Sequence, residues 1–149
     1  WTGTEMIVWG GKATGTGTLL NSGAKYNPST NTWAPIASTT LSGRIAFTAV
    51  WTGTEIIYWG GFDLDASNIP PYVPVHNYGA RYNPATNSWN TFTQNNNIPN
   101  PRLYHSAAWN GNIMMVFGGR SQDDGGVGFK LNSNTRTNLK HNFKSLFYR

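Results

Sequence analysis

Trp51-Thr52-Gly53-Thr54-Glu55-Ile56-Ile57-Tyr58-Trp59-Gly60-Gly61 restates the opening of the chain, Trp1-Thr2-Gly3-Thr4-Glu5-Met6-Ile7-Val8-Trp9-Gly10-Gly11. A looser third copy runs from Trp109-Asn110-Gly111-Asn112 through Met114-Met115-Val116-Phe117-Gly118-Gly119. Behind the first two copies a second module recurs: Gly23-Ala24-Lys25-Tyr26-Asn27-Pro28-Ser29-Thr30-Asn31-Thr32-Trp33 matches Gly79-Ala80-Arg81-Tyr82-Asn83-Pro84-Ala85-Thr86-Asn87-Ser88-Trp89. Successive Trp columns (Trp1, Trp51, Trp109) give a unit of 50 to 58 residues, and all seven tryptophans fall in three columns of it. Self-similarity at such a period marks a repeat architecture.

Each part of the unit reads as strand or turn. The four-residue apolar runs ahead of the glycine pairs are too short for helices and apolar on both faces, which predicts strands covered from both sides. Residues 46–51 and 104–109, β-rich with small side chains, precede them and are joined to them through Thr-Gly or Asn-Gly. Glycine there accepts the positive φ of a tight turn, so each pair predicts a hairpin. The glycine pair is expected to let the backbone leave the sheet. Gly-Ala-Lys/Arg-Tyr predicts a third strand. In Asn-Pro-x-Thr-Asn, the Asn can bond its own downstream backbone while Pro presets φ. Thr/Ser-Trp then opens a fourth strand, ended by Pro35 in the first copy.

One four-stranded antiparallel sheet cannot cover both its faces, so neighbouring copies must bury the aromatic columns, and radial stacking of such all-β units makes a β-propeller. A strand opening with Arg, an apolar run, Gly-Gly, Tyr-Asn-Pro and Thr-Asn-x-Trp together resemble the kelch repeat over about residues 1–119. The resemblance implies a propeller of six or seven blades, with Gly-Gly ending the second strand and Tyr and Trp packed between blades. The expected division is a partial blade at 1–36, a full blade at 44–92, the start of a third at 102–119, and a degenerate third-blade remainder with a basic tail at 120–149. Such an incomplete propeller reads as a fragment needing further blades or self-association to close its ring, because an open arc exposes apolar faces and strand edges. In the tail, residues 128–136 can be laid on the third-strand module, and Leu139, Phe143, Leu146 and Phe147 stand at helical spacing.

Composition limits the function classes. With 14% aromatic and 11% charged residues, the 149-residue chain argues against intrinsic disorder. The absence of Cys excludes a disulfide framework, a thiolate metal site and a cysteine nucleophile. No apolar run approaches the roughly 18 residues of a membrane span. The net charge of +5 is concentrated in the tail: residues 1–119 hold five cations against four anions, residues 120–149 six against two. No nucleic-acid partner is expected from so local a charge. The Asn- and Thr-rich, weakly charged composition suits a secreted or cell-surface protein.

Candidate chemistry is sparse. His76, His105 and His141 are isolated in sequence, without a ligand pair, and no catalytic, metal or cofactor site is expected. His105 occupies the column of Phe47, which points to packing or channel lining. Glu5 and Glu55 share a column at a strand start, a structural position. The insertion is more open: residues 62–78 replace the shorter 12–22 of the first copy and carry Asp63, Asp65, Tyr72 and His76 with three prolines. Long loops on a rigid scaffold commonly carry recognition. In a kelch-like blade this loop shares a rim with the segment before the first strand, which adds Arg44, Arg102, Tyr104 and His105 as candidate ligand contacts. Guanidinium presents a rigid donor fork for acidic groups or hydroxyls, with bonding to loop carbonyls as its structural use. Two functions follow: a non-catalytic scaffold binding a protein or glycan through this rim, or part of a kelch-fold enzyme, resembling a sialic-acid mutarotase or an oxidase, whose catalytic groups lie elsewhere.

Overall fold

The computed structural model describes residues 1–63, 74–91 and 99–121. The expected tail elements at 128–149 lie outside the described residues. Strands β1 (Met6–Trp9), β2 (Gly23–Asn27) and β3 (Thr32–Pro35) form one antiparallel sheet in the order β1-β2-β3. Strands β4 (Ile45–Trp51), β5 (Ile56–Phe62), β6 (Gly79–Asn83) and β7 (Ser88–Thr91) form a complete four-stranded meander. A third set pairs β8 (Arg102–Leu103) with β11 (Arg120–Ser121) and β9 (Ser106–Trp109) with β10 (Met114–Phe117). Pairing therefore runs through Ser121, two residues past the Gly118-Gly119 pair. The described residues contain no helix, hence none long and apolar enough to cross a membrane.

The repeat recurs in register and in turn chemistry. Met6 pairs Tyr26 as Ile56 pairs Tyr82, and Tyr26 pairs Trp33 as Tyr82 pairs Trp89. At the hairpin turn, Thr52 N–H donates to the Glu55 carbonyl (2.9 Å) and Glu55 N–H to Thr52 Oγ1 (3.0 Å), as Thr2 and Glu5 do in the first copy. Asn83 Oδ1 accepts from Ala85 N–H at 2.9 Å, the side-chain turn expected of Asn-Pro. Glu5 and Lys25 pair across the first sheet at 3.4 Å, as Glu55 and Arg81 do across the second at 3.9 Å.

The sheets stack face to face in sequence order. Alternation along β5 sends Ile56 and Tyr58 to one face and Ile57 and Trp59 to the other. The first face packs with Tyr82 and Trp89 against Ile7, Trp9 and Ile36 of the first sheet. The second packs with Val50 against Met114, Val116, Ala107 and Trp109 of the third. Every residue of β5 is buried, as a strand covered on both sides requires. Trp59 is 1% exposed. Hiding about 200 Å² of indole contributes on the order of 5 kcal/mol.

Hydrogen bonds join the sheets too. Trp89 Nε1 donates to the Ala37 carbonyl at 2.8 Å, and Ala37 N–H donates to Asn87 Oδ1 at 2.8 Å, tying β7 to the segment after β3. Asn87, which also accepts from Tyr82 Oη at 2.8 Å, has φ 49°. Its column mate Asn31 has φ 53° and accepts from Tyr26 Oη at 2.9 Å.

The glycine pair does not end the second strand in the complete sheet. β5 continues through Gly60 and Gly61 to Phe62, which pairs Ile45. The two glycines are required for closeness. A Cβ on Gly60 would stand 2.6 Å from His105 Cε1 and 2.9 Å from the Arg102 carbonyl of the next sheet. One on Gly61 would stand 2.6 Å from the Ile45 carbonyl of its own sheet. Both have positive φ, 75° and 82°.

Candidate functional site

Each sheet after the first is entered by an arginine, and the structure shows what that arginine does. Arg44 Nε donates to the Ser42 carbonyl (3.1 Å) and Nη2 to Ser42 Oγ (3.0 Å), while Nη1 donates to the carbonyls of Gly60 (3.2 Å) and Tyr78 (3.4 Å). Its Cζ lies 4.6 Å from the centre of the Tyr78 ring, and the residue is 1% exposed. Burial lowers the guanidinium pKa below its ordinary value, opposed by Tyr78 and Asp63. Arg102 repeats the motif: Nε donates to the Asn100 carbonyl at 3.2 Å and Nη1 to the Gly118 carbonyl at 2.9 Å.

Of the two uses of the guanidinium fork, Arg44 shows the structural one. Its donors are held by backbone carbonyls at the start of the blade. His105 is buried too, at 6% exposed. Its ring stands edge-on to Trp59, centroids 5.0 Å apart, as Phe47 stands to Trp9 at 5.4 Å. Its Nε2 meets Thr48 Oγ1 at 2.7 Å, across the junction between the second and third sheets. Burial, with a smaller contribution from the Arg102 charge, lowers the imidazole pKa to about 4.

The remaining candidates gather on the rim above these contacts. The return limb of the 62–78 loop is fixed at both sides: His76 N–H donates to the Gly61 carbonyl at 2.9 Å, Val75 bridges Phe62, and the His76 carbonyl accepts from Arg102 N–H at 3.2 Å. The His76 ring stacks at a tilt on Tyr78, centroids 4.6 Å apart. Its Nε2 lies 3.1 Å from Asp63 Oδ2, in poor alignment for a hydrogen bond. Burial, then the Arg44 charge, lowers the His76 pKa against the opposing pull of Asp63. Tyr104 reaches the same place from the third sheet, its ring 6.5 Å from that of Phe62 and 61% exposed.

Six candidates thus come to one end of the stacked sheets: Arg44, Asp63, His76, Arg102, Tyr104 and His105. Asp65 and Tyr72 lie outside the described residues. Phe62 and Tyr78, which connect the others, carried no sequence signal of their own beyond membership of the inserted loop. Among the described residues no group of three or more His, Cys, Asp or Glu side chains is placed to hold a metal ion.

A family model described as the KLHDC2/KLHL20/DRC7 Kelch-repeats domain matches residues 1–143. No curated protein matches the chain. Three repeat copies stacked in chain order, the arginine motif used twice and a family match over almost the whole sequence lead to one assignment: the chain belongs to the kelch-repeat family and is built of its propeller-type blades.

Proposed function

We propose that the chain is a binding scaffold that takes a protein or glycan partner on the rim carrying Phe62, Asp63, His76 and Tyr104. The observation that supports this reading most is their convergence from two successive sheets onto one end of a rigid stack. The stack fixes these groups through backbone bonds on both sides of the loop limb, so a partner meets a preorganised surface and loses little ordering entropy on binding. Arg44, Arg102 and His105 support the rim from beneath.

The test is binding of the full chain to immobilised protein and oligosaccharide panels, repeated with Asp63→Ala. The expected result is a specific signal weakened by about tenfold or more in the variant, equivalent to about 1.4 kcal/mol, with an unchanged thermal midpoint. No binding on either panel, together with faster interconversion of added sugar anomers by proton NMR, would replace the scaffold with an enzyme.

A further inference from the structure

Asn110-Gly111 lies in the turn that joins β9 to β10, in the columns that hold Thr2-Gly3 and Thr52-Gly53 in the earlier copies. The three glycines share one left-handed backbone, with φ 102° at Gly3, 101° at Gly53 and 101° at Gly111. The turn therefore calls for glycine in every copy, and only the residue before it varies. In the first two copies a threonine hydroxyl closes the turn: Thr2 Oγ1 accepts from Glu5 N–H and Thr52 Oγ1 from Glu55 N–H, each at 3.0 Å. In the third, Asn110 Oδ1 takes over, accepting from Asn112 N–H at 3.0 Å and from Ile113 N–H at 2.8 Å. Thr2 and Thr52 show that this turn does not need an amide.

The amide brings a chemistry that threonine lacks. Its Cγ is an electrophilic carbon, and closing a five-membered ring joins it to the backbone nitrogen of the next residue. The two N–H groups on Oδ1 polarise the carbonyl and face the oxygen where negative charge develops on attack, which is the work of an oxyanion hole. Gly111 N–H carries no hydrogen bond among the described residues. Nothing among them lies within 4 Å of the point where a Cβ on Gly111 would stand. Asn110, Gly111 and Asn112 are all exposed, so water and hydroxide reach the turn. The sequence has no other Asn-Gly pair.

We propose that Asn110 is a site of spontaneous deamidation, through which the third-sheet hairpin modifies itself. Gly111 N gives up its proton to solvent base and attacks Asn110 Cγ; the Cγ–Nδ2 bond breaks, ammonia leaves and a succinimide forms. Water then opens the ring at either carbonyl. Cleavage at Cγ restores the ordinary main chain with an aspartyl side chain, and cleavage at the backbone carbonyl leaves an isoaspartyl link that runs through Cβ and Cγ. The sum is amide plus water to acid plus ammonia, with no oxidant or reductant. The aspartyl product keeps the acceptor at the turn, now as a carboxylate with charge-assisted bonds. The isoaspartyl product lengthens the main chain between Trp109 and Met114, which pair across the hairpin and pack with Val50, Ile57 and Trp59. One product preserves the junction between the second and third sheets and adds a negative charge; the other loosens it.

The experiment holds the full chain in mildly alkaline buffer, folded and in concentrated urea, and maps its peptides by mass spectrometry beside Asn110→Thr and Asn110→Asp. The expected result is conversion of amide to acid at Asn110 in the folded chain, at least about tenfold faster than at Asn21 and Asn87, each of which precedes serine. Its rate should be no lower folded than in urea, and both products should be found. Asn110→Thr, carrying the residue of the other two copies, should melt as the unaltered chain does and show no conversion in that peptide. Chain enriched in the isoaspartyl product should melt at a lower temperature than Asn110→Asp. Conversion seen only in urea would mean that the turn protects the amide, and would overturn the proposal. A folded-state rate equal to those of Asn21 and Asn87 would do the same. Equal melting of the isoaspartyl chain and Asn110→Asp would overturn the effect on the junction.

Discussion

His105 and Phe47 occupy one column and perform one task, so the repeat supplies its own control. The unfolded imidazole takes its proton near pH 6.5, and the buried one near pH 4. Above pH 6.5 neither state is protonated and stability is unaffected. Between pH 6.5 and 4 the unfolded state binds the proton that the folded state refuses, so stability falls as pH falls, by at most about 3 kcal/mol, and levels off below pH 4. His105→Phe, with Phe47 as precedent for the fit, is expected to flatten that part of the profile when urea midpoints are measured against pH; an unchanged slope would place the titration elsewhere. Arg44→Lys replaces a fork serving three carbonyls and a hydroxyl with a single ammonium, and is expected to lower stability by about 2 kcal/mol in the same assay. A loss under about 0.5 kcal/mol would show the motif to be incidental. The packing role of His105 was legible because the column named its counterpart. The arginine motif was legible only as a possibility, since its acceptors at Gly60 and Tyr78 are backbone atoms that leave no mark on a sequence.

Among the strands, the two glycines of each pair separate into two jobs. The first faces the next sheet: a Cβ on Gly10 would meet Phe47 Cε1 at 3.0 Å, one on Gly60 would meet His105 Cε1, and nothing among the described residues lies within 4 Å at Gly118. The second faces the first strand of its own sheet: Gly61 and Gly119 are crowded at Ile45 and Leu103, while Gly11 is open among the described residues. Gly60→Ala is expected to cost the backbone strain of a left-handed alanine, about 1 kcal/mol, plus about 1–3 kcal/mol for the collision with His105 and the Arg102 carbonyl. Gly118→Ala, with φ 70°, is expected to cost the strain alone. Equal losses in denaturant titrations would contradict the assigned closeness. The strands themselves could be read in advance, because period-two alternation, paired Gly turns and Asn-Pro are local signals. The glycine pair ends β1 and β10 as expected; only β5 runs on through it to Phe62, and the crowding that requires both its glycines comes from partners distant in sequence.

At the scale of the molecule, the described residues form a stack in which one junction is made twice. The apolar faces at its ends are built from the same columns as the buried ones. Met6 and Val8 stand where Ile56 and Tyr58 stand in the second sheet, yet are 39% and 44% exposed; Trp33, in the column of Trp89, is 55% exposed. Exposed apolar surface of this kind drives association, so light scattering of the chain alone is expected to show mass growing with concentration, and Val8→Lys to reduce it. A concentration-independent monomer with a sharp melt would count against an accessible face. Stacking was readable from the Trp columns, whereas the rim depended on which loop limbs the stack brings together, which no periodicity records. The most direct test is a nuclear Overhauser experiment on the aromatic protons. Stacked sheets require cross-peaks from the Trp9 indole to the Phe47 and Tyr58 rings, each 5.4 Å away between centroids, and from Trp59 to His105 at 5.0 Å. Absence of all three, with cross-strand backbone contacts joining β1 to β5 in a single layer, would contradict the account.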